Sequence, residues 1–329
     1  MINKSFRISR QTAAYIKFQK ILKVHKQKKE SCYEPNRTVG TECSLQQIEL
    51  PELRKWNRTQ EWKISEGTAT ADNIEKRWSN LMLKKQFPEG VYRLSYSTAL
   101  HGKSLKDQLF VQFGTFKQNV TFSQTAGNAA GTVSSYFYAP ASDAEQIMRF
   151  QLFGTSGFRA QISNIRLEKL SEDDLRKITV DFNSETGNTP LFFHTYSWKD
   201  GDVAVVDAED HIDGGKAMRV TAGAVQKKYS VISSYLPVSF GKKYRLTFSA
   251  KSPDSAALTF GPNTYVPGQR NWKKLEKFAL TPEWKEYTVE FASPDLNLYP
   301  HMKSRTFFLD LSLAPGKEAF FKSFTLEVL

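Results

Sequence analysis

From about Leu45 to the C-terminus, hydrophobic and polar residues alternate in short runs separated by Gly, Pro, Asn and Asp. VYRLSYS at 91–97, LFVQF at 109–113, residues 135–138 and 150–153, YRLTFS at 244–249, YTVEF at 287–291 and FFLDLSL at 307–313 fit a period of two. That period belongs to a strand with one face buried. Helical periodicity is weak here except around Ser171–Lys177. Many short strands with turn residues between them predict an all-β chain of sandwich or barrel type. The first 30 residues read differently: Tyr15, Phe18, Ile21 and Leu22 recur at helical spacing, Lys17, Lys20, Lys23 and Lys26 take other faces, and Ser9 or Thr12 is placed to cap the start. A short basic amphipathic helix and a solvated, disordered arm both fit this segment.

The strand pattern repeats. Gly90-Val91-Tyr92-Arg93-Leu94-Ser95-Tyr96-Ser97 parallels Gly241 through Ser249, with Tyr244, Arg245, Leu246 and Phe248 in the matching places. Glu61-Trp62-Lys63 resembles Ser197-Trp198-Lys199, and Tyr138-Ala139 resembles Phe291-Ala292. Phe150 and Leu152, followed by Gly157, Ala160, Ile165, Leu167 and Leu170, parallel Leu309 and Leu311, followed by Gly316, Ala319, Phe324, Leu326 and Leu329. Preserved order with a slowly drifting offset is how loop insertions between two copies behave. The expected organisation is therefore an arm at 1–44, a first β-sandwich at 45–170, a linker at 171–177 and a second sandwich at 178–329. Counting back from Gly90 and Gly241 puts Trp78 level with Tyr229.

Length agrees, since 329 residues make about two average domains. Charge adds a constraint. The net +12 is concentrated, because the first 37 residues hold ten Lys and Arg against only Glu30 and Glu34. The body is close to neutral, which argues against a globally basic nucleic-acid binder and leaves a cationic arm suited to an anionic surface. Cys32 and Cys43 either pair in a small loop or stay free. No run approaches the ~20 apolar residues of a membrane helix, and no apolar stretch after the basic start reads as a secretory leader.

The strand Gly241, Tyr244, Leu246, Phe248, Ala250, Lys251 and the strand Trp284, Tyr287, Phe291 resemble the β-jelly-roll carbohydrate-binding modules of the cellulose- and xylan-binding type, grouped with galactose-binding-like domains. The likeness covers nearly all of 178–329 and weakens over 45–170, where Gly131 stands roughly at the place of Trp284. It implies two tandem jelly-roll sandwiches that bind polysaccharide without catalysis, at the cell surface or outside it. Such modules often hold a structural calcium; here no cofactor is expected, and Asp181, Glu185 and Asp310 are the candidate oxygen ligands should one bind. The usual Asp pair before the last strand is here Lys322-Ser323.

Sugar rings present apolar C–H faces ringed by hydroxyls, so a site needs aromatic platforms beside amides or charged groups. Two clusters in the second copy supply these: Tyr265 with Gln269, Arg270, Asn271 and Trp272, and Tyr196 with Trp198. The first copy is expected to bind weakly or serve as scaffold. No paired-carboxylate strand motif, metal-spaced histidines, nucleophile elbow or phosphate loop is present in the sequence, so no catalytic residues are assigned. Two other readings remain: a structural or interaction protein whose sandwiches are spacers and whose arm makes the contact, and an accessory piece of a larger glycoside hydrolase.

Overall fold

The computed structural model describes residues 46–74, 78–104, 106–114, 119–154, 157–195, 201–208, 215–224, 229–239, 241–264, 272–293 and 306–329. The basic arm, Cys32 and Cys43 lie outside them. All seven alternating segments fall within strands. Residues 46–169 form two sheets. Sheet A runs Trp62–Ser65, Thr68–Ile74, Phe158–Lys169, Gly90–His101, Ala130–Ala139, with Gln46–Ile48 also on Phe158–Lys169. Sheet B runs Asn57–Arg58, Ser79–Lys85, Gln146–Phe153, Gln108–Gly114, Asn119–Ala126.

Residues 177–328 repeat the plan. Sheet C runs Gly201–Asp207, Lys216–Ala222, Glu318–Val328, Lys243–Lys251, Lys285–Ala292, with Lys177–Asp181 also on Glu318–Val328. Sheet D runs Phe193–Thr195, Tyr229–Ser233, Thr306–Leu313, Ala257–Thr264, Trp272–Lys273, with Leu236–Pro237 and Glu276–Ala279 at its sides. The repeated Tyr-Arg-Leu strands hold the same place in sheets A and C. Tyr92 stacks on Phe137 at 5.3 Å and Tyr244 on Phe291 at 5.5 Å, so each copy closes its core with the same aromatic pair. Their hydroxyls are anchored at the core edge: Tyr92 donates to the Pro88 carbonyl and Tyr244 accepts from the Ser239 amide, each at 2.7 Å.

The segment between the copies is a turn, not a helix. Ser171 and Asp174 bond each other reciprocally, and Leu175 is buried. The sandwiches do not hang freely on it. Residues 45–329 form one compact unit, and the buried residues of both copies join one hydrophobic cluster. The amides of Thr186 and Gly187 donate to the Ala130 carbonyl, those of Asn188 and Thr189 donate to the Asn128 carbonyl, and the Thr125 hydroxyl donates to the Leu191 carbonyl. The approach is close enough to require glycine on both sides. A Cβ on Gly187 would lie 2.3 Å from the Ala130 nitrogen. A Cβ on Gly131, whose φ is +142°, would lie 2.8 Å from the Ser184 carbonyl oxygen. The ladders place Gly131, opposite Thr98, level with Lys285, opposite Ala250, and so put Ala130 rather than Gly131 at the place of Trp284. The first copy lacks a large side chain there because the other sandwich docks on Ala130 and Gly131.

Candidate functional site

Strand alternation splits sheet B into two faces. Leu81, Leu83, Leu109, Val111, Phe113, Met148, Phe150 and Leu152 fill the core. The alternate positions point away from it and form a grid fixed by register: Asn80 opposite Gln151 opposite Phe110, and Met82 opposite Arg149 opposite Gln112. Trp78 stands at the head of this face, just before Ser79–Lys85. It is 49% exposed, against a core in which most aromatics are fully buried. Its ring lies 4.8 Å from that of Phe153 and 5.4 Å from that of Phe110, so a half-open indole is braced from beneath by two rings.

Amides surround this aromatic cluster. Gln151 Nε2 donates to Asn80 Oδ1 at 2.8 Å, and Arg149 Nε donates to Gln112 Oε1. Gln108, Gln112 and Gln151 are largely buried although they lie on the outer face, which makes them a floor rather than a solvated surface. Burial also lowers the Arg149 pKa from its ordinary value. Among the described residues this face carries no carboxylate. It offers stacking and hydrogen bonding, and no acid–base pair.

The equivalent face of sheet D differs in chemistry. Asp310 takes the place of Gln151, flanked by Ile232 and Gly261, and Asn263 Nδ2 donates to Asp310 Oδ2 at 3.2 Å. His194, opposite Ile232, is buried, and that burial pushes its pKa down to about 4. His194 Nδ1 and Asn263 Oδ1 are buried without a hydrogen-bond partner. This second floor is polar and keeps hydrogen-bonding capacity.

Of the sugar-contact residues expected from sequence, Tyr196, Trp198, Tyr265, Gln269, Arg270 and Asn271 lie outside the described residues. Trp272 opens a short edge strand, half-buried, with its ring 5.8 Å from Phe291 and 6.5 Å from Phe307. It is anchored on the core edge. The ladder also corrects the pairing of Trp78 with Tyr229. Ser79 lies opposite Leu152 and Val231 opposite Leu311, the repeat partner of Leu152, so Trp78 is level with Ser230. One residue of slip changes the face. Sequence alone hides the sheet B cluster because Phe110 sits in the apolar run Leu109-Phe110-Val111 and resembles core; the available signal is glutamine recurring on the outward phase at 108, 112 and 151.

The candidate calcium ligands are not gathered. Asp181, exposed, accepts the Asn183 amide at 2.9 Å, Glu185 is buried in the next loop, and Asp310 faces outward on sheet D with Asn263. Among the described residues no three His, Cys, Asp or Glu side chains are placed to hold a metal ion, so the residues present do not fit the structural calcium often held by the modules that the sequence resembles. No helix among the described residues is long and apolar enough to cross a membrane.

Residues 45–329 thus define a two-domain β-sandwich protein with an aromatic and amide-lined face. Residues 178–305 match a family model described as a carbohydrate-binding domain. Among solved structures, the chain is similar to the N-terminal CBM22-1-CBM22-2 tandem domain from Paenibacillus barcinonensis Xyn10C, at 8% identity and TM-score 0.37, covering 84% of this chain and 94% of that one. It is also similar to the family 11 carbohydrate-binding module from Clostridium thermocellum in complex with a β-1,3-1,4-mixed-linked tetrasaccharide, at 15% identity and TM-score 0.33, covering 46% and 95%. No curated protein matches the chain.

Proposed function

We propose that this protein binds polysaccharide without transforming it, and that the outer face of sheet B is one of its contact surfaces. The observation that carries the reading is the half-open Trp78, braced by Phe153 and Phe110 beside the buried amides of Gln108, Gln112 and Gln151. A flat indole accepts the C–H face of a sugar ring, and neighbouring amides both donate to and accept from its hydroxyls. The carbohydrate-binding pattern over 178–305 supports the same role for the second sandwich. Tyr265, Gln269, Arg270, Asn271, Trp272, Tyr196 and Trp198 are the residues proposed to contact glycan there.

Affinity gels containing cellulose derivatives, xylan, mixed-linkage β-glucan or mannan test the proposal with the full chain. Retardation on at least one, weakened by Trp78→Ala, is the expected result. Migration unchanged on every glycan would overturn it. Retardation that survives Trp78→Ala but vanishes with Trp272→Ala would confine binding to the second sandwich.

A further inference from the structure

The loop from Phe182 to Phe192 in the second sandwich does two things at once. Its outer edge fastens the first sandwich, through the amides of Thr186, Gly187, Asn188 and Thr189 and the Ser184 hydroxyl, which donates to the Thr132 carbonyl at 3.4 Å. Its inner edge turns polar groups toward the body of its own sandwich. Glu185 is buried there, with Oε2 accepting the Leu191 amide at 2.9 Å.

Such a loop needs something to hold its inward-turned oxygens together. The side chain that does so is Lys216, at the start of Lys216–Ala222. Its backbone amide donates to Asn183 Oδ1 at 3.0 Å, and its ammonium donates to the Glu185 backbone carbonyl. One residue therefore grips the loop at two points, one on each side of Ser184. The other charged groups near Glu185 are Asp181, whose negative charge opposes ionisation of Glu185, and Arg93 across a cleft of about 250 Å³, which is paired with Glu168 at 2.8 Å.

We propose that the Lys216 ammonium takes the place of a structural cation in this sandwich, holding the 182–192 loop in the shape that docks on the first sandwich, so that docking is independent of divalent metal. Three observations converge on it. The candidate carboxylates are dispersed, Asp310 being on another sheet. Midway along the last strand, Glu318–Val328, Ser323 rather than a carboxylate lies opposite Asp181. A positive charge that cannot be chelated already sits on the loop's carbonyl. A charge-assisted bond of this kind contributes more than a neutral one.

Hydrogen exchange on the full chain tests this, read at the amides of Thr186, Gly187, Asn188 and Thr189. In the wild type, excess EDTA and excess calcium chloride should give the same protection and the same melting temperature. Lys216→Met should lower protection at those amides by about tenfold to a hundredfold, calcium should not restore it, and Lys216→Arg should keep most of it. Protection lost in EDTA, a melting temperature raised by calcium, or unchanged protection in Lys216→Met would each overturn the proposal. Should Lys216→Met fail to fold, the wild-type comparison in chelator and calcium decides alone.

Discussion

Replacing Glu185 by Gln should change how stability depends on pH while leaving its acid limit almost untouched. Burial drives the Glu185 carboxyl from 4.5 up to about 8, against the opposing pull of the Leu191 amide and the Lys216 ammonium. The folded chain therefore keeps a proton that the unfolded chain releases above 4.5. Folding then binds the extra proton, so stability is full below that value and falls as pH rises toward about 8. At 1.36 kcal/mol per unit, the whole loss is on the order of 5 kcal/mol by the alkaline end. Glutamine resembles the protonated acid in shape, still accepts the Leu191 amide, and cannot ionise. Wild type and Glu185→Gln should unfold at nearly the same urea concentration near pH 5, and the variant should exceed the wild type by about 1–2 M at the alkaline end. Urea unfolding followed by tryptophan fluorescence between about pH 5 and 9 measures both curves. If they run parallel, Glu185 is not held protonated in the folded chain.

His194 works in the opposite direction. Its pKa is pushed from 6.5 to about 4, so the folded chain refuses a proton that the unfolded chain accepts; about 3 kcal/mol should be lost as pH falls through that interval, and His194→Gln should flatten this acid limb in melting experiments. Trp78→Ala should weaken glycan retardation by about tenfold or more. Since half the ring is already in water, it should cost less stability than Phe150→Ala, for which about 3–5 kcal/mol is expected. Gly187→Ala puts a Cβ 2.3 Å from the Ala130 nitrogen, so the loop must retreat; calorimetry should show a single unfolding transition broaden or split into two.

The alternation of single strands carried most of the fold. Every segment read as period two is a strand, and the repeat anchored on Tyr92 and Tyr244 reappears as identical strand order in sheets A and C. What the pattern could not carry is which outward residues matter. Phe110 and Phe153 occupy the solvent phase of strands whose inner phase is also apolar, so only the register with Gln151 and Gln108 brings them under Trp78. The three candidate oxygen ligands are separated for a related reason. Asp181 and Glu185 are near in sequence, but the side on which Asp310 emerges depends on strand parity, and it emerges away from the core beside Asn263. The loss of Trp284's counterpart in the first copy is visible in the sequence, but the register places it at Ala130, and its cause is backbone contributed by the other sandwich at Ala130 and Gly131.

Docking bears directly on how the glycan contacts proposed for the two sandwiches would act together. Two modules on a flexible tether gain avidity through effective concentration and accommodate many ligand shapes, because the tether absorbs the mismatch. Here the linker is a bonded turn and the modules share backbone hydrogen bonds, with a glycine on each side of the contact. The faces of sheets B and D therefore hold one mutual orientation. A rigid pair loses less freedom on binding a chain that suits that orientation, and gains nothing from one that does not. Chemistry separates the faces as well, since the central position is an amide, Gln151, on one and a carboxylate, Asp310, on the other. Selectivity of the tandem should thus follow the path of the glycan chain more than its sugar composition, and loosening the contact at Gly187 should broaden the range of chains bound while lowering affinity for the best of them.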